Sequence, residues 1–502
     1  MTNLLVYPIV IPLVTAALAI VTQNKGRAQR IIGLIGVTVQ LVVAAILFWQ
    51  ITRNGFLVLN MGGWEAPFGI VLVADYLSAI MIMISALLGS IVALYSMADI
   101  DEQRNKFGFY PFLHLLLMGV NGTFLTGDIF NLYVWFEVML VSSFVLLALG
   151  NEKAQLEGAV KYMVINIVSS AFLLIGITLI YGMTGTLNMA DLAVRIPELE
   201  SSGMATTVSM LFLVAFSIKA ALFPLFFWLP SSYHTPPVAV SAIFIGLLTK
   251  VGVYVLLRFF TLIFLEDLPY TTHLLLWGSG LTMLAGVMGA IVQTDLRRAF
   301  SFLHISQIGY MVMGLAIYTP LAIMGSIFYI MHHIAVKTNL FLLSGIMHRL
   351  TGSFDIRKMG GLYRRTPWLA VLFIIPAFSL AGFPPLSGFW AKLHLVYAGL
   401  DSHSYMIVAV ALIVSLLTLY CIGKIWASAF WSPAADKENQ PTDELVYPIS
   451  ARDWIFLATP VVILTTLTLT IGLYAEPFYQ LSLAAANQLL DPSQYIHAVL
   501  GP

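Results

Sequence analysis

The stretch AFSIKAALFPLFFWLP, residues 215–230, places Lys219 in an otherwise apolar run and follows it with Pro224 and Pro230. A run of this kind crosses hydrocarbon as a helix. Proline removes a backbone donor and clashes with the turn before it, so here the helix is expected to be two half-helices around a joint. A second stretch, AFSLAGFPPLSGFW at 377–390, shares Ala-Phe-Ser and Phe-Trp at the same spacing and also carries proline mid-run. Two interrupted helices of one pattern suggest an internal repeat whose broken members meet near the membrane midplane.

The rest of the chain supports a membrane protein. It has 502 residues, 60% hydrophobic and 10% charged, with a mean hydropathy of +0.92, far from the mix of soluble domains. Lys and Arg total 24 and Asp and Glu total 24. That balance gives no reason to expect nucleic acid or a cationic partner. Cys421 is the only cysteine, so neither a disulfide framework nor a thiolate metal site can be built from this chain. The first apolar run, Leu4 to Val21, lacks a basic leader and is expected to be a retained span.

Apolar stretches of about 20 residues recur near 4–21, 31–51, 70–97, 109–126, 128–149, 159–182, 206–228, 237–262, 273–292, 299–317, 320–347, 368–398, 404–431 and 452–474. The fold class expected is therefore all-α and polytopic, with about fourteen spans. Spans four to eight and nine to thirteen form two inverted five-helix repeats, and spans seven and twelve are the broken ones. The corresponding segments are 1–108, an N-terminal three-helix unit; 109–262 and 273–431, the two repeats; and 452–502, the last span and an interfacial tail. Loops after odd-numbered spans hold sixteen Lys and Arg, including Lys437, and loops after even-numbered spans hold three, Arg53, Arg195 and Arg258. Cationic loops stay inside, so both termini are expected outside.

Five lysines remain within spans: Lys219, Lys250, Lys337, Lys392 and Lys424. Glu137, in NLYVWFEVML, shares their depth, where an ionised group costs several kcal/mol and needs a partner. Lys219 is the natural one. At ~4 Å and an effective dielectric of ~20 their attraction is ~4 kcal/mol, so moving Glu137 away helps Lys219 release its proton. The alternative is a fixed pair joining two helices. YIMHHIAVKTNLF sets His333 and Lys337 four apart on one helical face, and a histidine that both gives and accepts a proton suits a relay between lysines. His332, pointing about 100° away, reads as a core histidine. Lys392 either ends the row outward or snorkels, and Lys424 snorkels. No HExxH, Gly-rich phosphate loop, nucleophile elbow or flavin signature is present, so neither a metal nor a cofactor is expected.

At Glu137, AFSIKAALFPLFFWLP with Lys219, GLLTKVGVY with Lys250, HIAVKTNLF with His333 and Lys337, and AGFPPLSGFWAK with Lys392, the chain resembles the fourteen-span antiporter-like subunits shared by respiratory complex I and the Mrp cation/proton antiporters. The resemblance covers almost the whole chain. It implies that Glu137 and Lys219 form a coupling pair, and that the eighth, eleventh and twelfth spans carry a proton across the midplane. It also implies a hetero-oligomeric complex in the cell membrane, with other membrane subunits, protons and Na⁺ as partners. Many relatives carry His two residues after the matching proline and Asp-Ala-His after Trp-Leu-Pro. Here Phe226 and Ser231-Ser232-Tyr233 stand there, which leaves the inward proton entrance open. Lys392 and the chain length fit the D-type Mrp branch best. The function implied is a proton-translocating subunit of a Na⁺/H⁺ antiporter, a transporter component and not itself an enzyme. The alternatives are a proton-pumping subunit of an NADH:quinone oxidoreductase or hydrogenase, and a non-conducting scaffold.

Overall fold

In the computed structural model residues 2–199, 202–433 and 449–501 are described; Lys437 lies outside them. The long helices follow one another as α1 (Tyr7–Val21), α2 (Gly26–Asn54), α3 (Tyr76–Asp99), α4 (Phe109–Leu125), α5 (Ile129–Ala148), α6 (Lys153–Thr184), α7 (Ser202–Ala220), α8 (Val238–Leu262), α9 (Leu268–Ile291), α10 (Leu296–Ile317), α11 (Pro320–Thr351), α12 (Pro367–Ala381), α13 (Ser387–Asp401), α14 (Tyr405–Trp431), α15 (Ala451–Leu473), α16 (Glu476–Leu489) and α17 (Pro492–Leu500). Among the described residues, twelve helices are long and apolar enough to cross a membrane, while α4 and α12 are apolar but shorter. The protein is thus a largely helical, multi-pass membrane protein.

One boundary differs from the sequence expectation. Residues 70–74, taken there as the start of the third span, include the strand β2 (Val71–Ala74), which pairs antiparallel with β1 (Leu57–Asn60). The helix begins later because Asp75 caps it, its carboxylate accepting from Ser78 N at 2.9 Å. A second difference concerns Arg258, counted among loop cations. It lies inside α8, 5% exposed, with its guanidinium 2.6 Å from the Asp75 carboxylate. Removing it leaves only Arg53 and Arg195 on that side, which sharpens the charge asymmetry.

The centre of the bundle is α8, α10 and α11. The most apolar window of α8 is wholly buried and those of α10 and α11 nearly so, whereas α1 and α2 present most of theirs outward. A charge on these central helices has to find its partners inside the protein. Gly252 brings α8 against the end of α7: a Cβ there would sit 2.4 Å from Ala220 N and 2.7 Å from Lys219 C. In hydrocarbon, helices associate through such close backbone approach.

The tail is folded onto the bundle. Helix α16 packs on α3 and α11. Gln488 on it accepts from Tyr76 N at 3.0 Å and donates to Gly55 O at 3.0 Å, closing the hairpin between α2 and α3. Tyr495 on α17 lies under the Arg258 guanidinium, 5.4 Å from ring to charge.

Candidate functional site

The first break falls where Pro224 and its neighbours predict it. Helix α7 stops at Ala220, a turn-rich segment follows, and a short helix resumes at Trp228–Ser232. Ala221 adopts φ +60°, a left-handed conformation costing a non-glycine residue about 1 kcal/mol or more. The freed groups are met locally: Leu222 N donates to Ser217 O at 2.9 Å, Trp228 Nε1 to Ile218 O at 3.1 Å, and Phe223 N to Thr282 Oγ1 at 2.9 Å. Lys219 is in the last turn of this half-helix, where the helix dipole favours a cation.

Lys219 and Glu137 do not touch. No ion pair within 4.0 Å joins them. Lys219 is 7% exposed, and its ammonium lies 5.2 Å from the centre of the Phe136 ring with no hydrogen-bond partner among the described residues. Glu137 is half-buried, and its Oε1 atom is covered without a partner. Val134 and Val141, one turn to either side of it, face outward. The pair inferred from depth alone therefore makes no direct contact in this structure, and the ammonium faces the Phe136 ring.

The second break, between α12 and α13, is built differently. Gly382 closes α12 at φ +90°, its N donating to Phe378 O at 3.1 Å and Ser379 O at 3.0 Å. Lys392 reaches back from α13 and donates to Leu380 O at 3.1 Å, Ala381 O at 2.9 Å and Ser415 Oγ at 3.0 Å. All three ammonium donors are used, two of them on carbonyls at the end of the first half-helix. Lys392 thus turns inward and does not snorkel. When the two stretches are aligned on their shared Ala-Phe-Ser, Lys219 corresponds to Ala381. The two lysines occupy non-equivalent positions, yet each brings an ammonium to the end of the first half-helix.

Between the breaks runs a row of polar side chains. Helix α8 widens into a π turn at Phe244–Leu248, a feature frequent at functional sites, and Lys250 folds back to donate to Ile245 O. One residue before it, Thr249 Oγ1 lies 2.8 Å from His304 Nε2. The rings of His304 and His333 are 5.0 Å apart. Tyr329 lies 6.2 Å from His333 and stacks on Tyr310 at 5.3 Å, and the Lys392 ammonium is 5.1 Å over the Tyr310 ring. Lys337, one turn from His333 on α11, donates to Phe300 O at 3.2 Å. Both ring nitrogens of His333 are buried without partners. His332 instead accepts or donates at Ser387 Oγ, 2.8 Å away at the second break.

Five of the six residues singled out from sequence, Lys219, Lys250, His333, Lys337 and Lys392, thus line the middle of the bundle, with Glu137 at its flank. Sequence reasoning missed His304, Gln307, Tyr310 and Tyr329, although Tyr329 hydrogen-bonds Gln307. The signal was available: His304, Gln307 and Tyr310 recur every three residues in an apolar span, a polar stripe on one helical face. Lys424 stays apart, half-buried and donating to Ile291 O at 2.7 Å, where it caps the end of α9. Among the described residues no group of three or more His, Cys, Asp or Glu gathers to hold a metal ion.

Comparison with known proteins gives consistent results. Residues 126–418 match a family model described as the transmembrane region of NADH:quinone oxidoreductase/Mrp antiporter proteins. The chain is 48% identical over 500 residues to a Na(+)/H(+) antiporter subunit of the D type from Alkalihalophilus pseudofirmus, covering all of both. It superposes with a TM-score of 0.91 on a chain of the Mrp complex from Dietzia sp. DQ12-45-1b, 32% identical, covering 100% of this chain and 99% of that one. A chain of the membrane-bound sulfane sulfur reductase, an archaeal respiratory membrane complex, matches with the same TM-score at 26% identity, covering 100% of both.

Proposed function

We propose, since this chain belongs to the NADH:quinone oxidoreductase/Mrp antiporter family, that it is the D-type proton-translocating subunit of a multi-subunit Na⁺/H⁺ antiporter in the cell membrane. The observation that carries this is the buried row from Lys250 through His304, His333, Tyr329 and Tyr310 to Lys392. Burying this many titratable groups is costly, and an unpartnered imidazole such as His333 adds nothing to helix association.

In this proposal Glu137 and Lys219 are the switch, and Lys250, His333 and Lys337 pass the proton toward Lys392, the outward end. With the pair closed, ~4 kcal/mol of attraction at ~4 Å holds the proton on Lys219. When the carboxylate moves away, that hold is lost and Lys219 releases its proton more readily. A membrane potential of ~100 mV is worth ~2.3 kcal/mol per proton, so a switch of ~4 kcal/mol is large enough to matter for transport. We further propose fourteen crossings, arranged as inverted repeats over 109–262 and 273–431 between the 1–108 and 452–502 segments, with both termini outside. Support comes from the matching breaks and from the loop charge asymmetry.

The likeness to the sulfane sulfur reductase chain favours one further reading, a proton-pumping subunit of a respiratory enzyme. Purifying the complex separates the two: small membrane subunits alone fit the antiporter, and co-purifying iron–sulfur or flavin proteins the enzyme. Within the antiporter, Lys219→Ala is expected to leave the complex assembled and abolish Na⁺-driven pH change in everted vesicles. Normal exchange by that variant refutes the proposed role, and loss of assembly points to a scaffold.

A further inference from the structure

A second polar column lies apart from the row between the breaks, on the inward side of the first break. Helix α6 carries Tyr162, Asn166 and Ser170 at four-residue spacing, hence on one face, and they are 3%, 2% and 5% exposed. Tyr162 Oη is hydrogen-bonded to Ser143 Oγ on α5 at 2.7 Å. Its ring packs edge-on against Trp228 at 5.4 Å, and Trp228 against Tyr233 at 5.5 Å. Tyr233 stands in the inward loop beyond the break. Gly158, one turn before Tyr162, lets α6 meet that loop, since a Cβ there would be 3.0 Å from Ser231 O. At the deep end, Ser169 Oγ donates to Ala215 O at 2.8 Å, one turn from Lys219. The column therefore runs from the inward loop to the depth of Lys219.

Polar groups that merely join helices pair with one another. Here Tyr233 Oη, Ser170 Oγ and Glu137 Oε1 are all buried with no hydrogen-bond partner. In a membrane an unmet polar atom costs several kcal/mol. Three of them along one column, each able to accept a hydrogen bond and two able to donate, mark a place served by a mobile hydrogen-bonding species. His234, beside Tyr233, has its Nδ1 covered and unpartnered as well. Burial pushes this imidazole below its ordinary pKa, the Asp295 carboxylate opposing the change and the Arg297 and Arg298 guanidinium groups adding to it.

We propose that Tyr233, Tyr162, Ser143 and Ser170 form the inward-facing proton passage to Glu137 and Lys219, with Asn166 lining it and His234 at its mouth. This rests on the proposed antiporter function and supplies the entrance that its sequence left open. The step is a relay: each hydroxyl, or the water beside it, accepts a proton from one neighbour and releases its own to the next. One proton moves, no group ends charged, and no electrons are exchanged. Tyrosine and serine suffice because each both donates and accepts by rotating its O–H.

The test is Na⁺-driven exchange by the assembled complex in everted vesicles, measured in H₂O and D₂O. Tyr162→Phe removes one oxygen and keeps the contact with Trp228. It is expected to slow exchange roughly ten-fold or more, as loss of a positioned proton-transfer group does, and to enlarge the solvent isotope effect, which a packing defect would leave unchanged. Ser143→Ala should act similarly, and the double variant should be no slower than the worse single one, because the two groups act in series. Near-normal exchange by Tyr162→Phe, or slowing without a larger isotope effect, overturns the proposal. If Tyr162→Phe fails to assemble, Ser170→Ala decides: it removes an oxygen that makes no hydrogen bond, so a slowed, isotope-sensitive exchange supports the passage and normal exchange refutes it. Lys219→Ala in the same assay separates the two levels. Activity there defeats the function itself, whereas an inactive Lys219→Ala beside a normal Tyr162→Phe defeats only the passage.

Discussion

Lys392 has three donors and three acceptors, Leu380 O, Ala381 O and Ser415 Oγ. That fit explains how an ammonium survives at this depth, and it makes the residue testable. Arginine keeps the charge and donors but cannot release a proton, its pKa staying above ~12. If Lys392 must lose and regain a proton each cycle, Lys392→Arg should assemble yet exchange below about one-tenth of the parent rate, as Lys392→Met should. Near-normal exchange with arginine would return Lys392 to a purely structural part. The intramembrane lysines were legible because a charge in an apolar run stands out. His304 and Tyr310 were not read because histidine and tyrosine pass as ordinary core residues until their spacing is counted. Arg258 was misplaced because its partner, Asp75, lies far away in sequence and only the fold brings them to 2.6 Å.

The breaks in α7 and between α12 and α13 were legible because proline announces them. The π turn at Phe244–Leu248 was not, since Phe-Ile-Gly-Leu-Leu carries no signal distinguishing it from plain α-helix. Nor was the hairpin of β1 and β2, whose second strand is apolar enough to merge with the span that follows. Helix α8 depends on its contact with the first break. Gly252→Ala would press a methyl group onto the backbone at Ala220 and Lys219, atoms that cannot swing aside. Overpacking of this kind costs about 1–3 kcal/mol. We expect a lower thermal midpoint for the purified complex and reduced exchange, because Lys250 moves with the helix. Gly182→Ala, where the added carbon meets nothing within 4 Å, is the control, and should be neutral or stabilising by up to about 1 kcal/mol. Equal midpoints for the two variants would show that α8 has room for a methyl group at Gly252 after all.

For the whole molecule, the half-buried Glu137 matters most. It sits mid-helix on α5 beside outward-facing Val134 and Val141, where lipid alone would leave its carboxylate poorly served. The chain expressed without partners is therefore expected to insert but to give no Na⁺-dependent pH change in vesicles, while the full complex does. Robust exchange by the purified single chain would contradict this. The latch at Gln488 bears on how such a molecule is made. Its side chain holds Gly55 O and Tyr76 N, so a residue 433 positions after the one and 412 after the other fastens the hairpin they flank. Until it emerges, α2 and α3 wait in the bilayer with that joint unfastened, and a chain cut short after Leu473 would never receive its clasp.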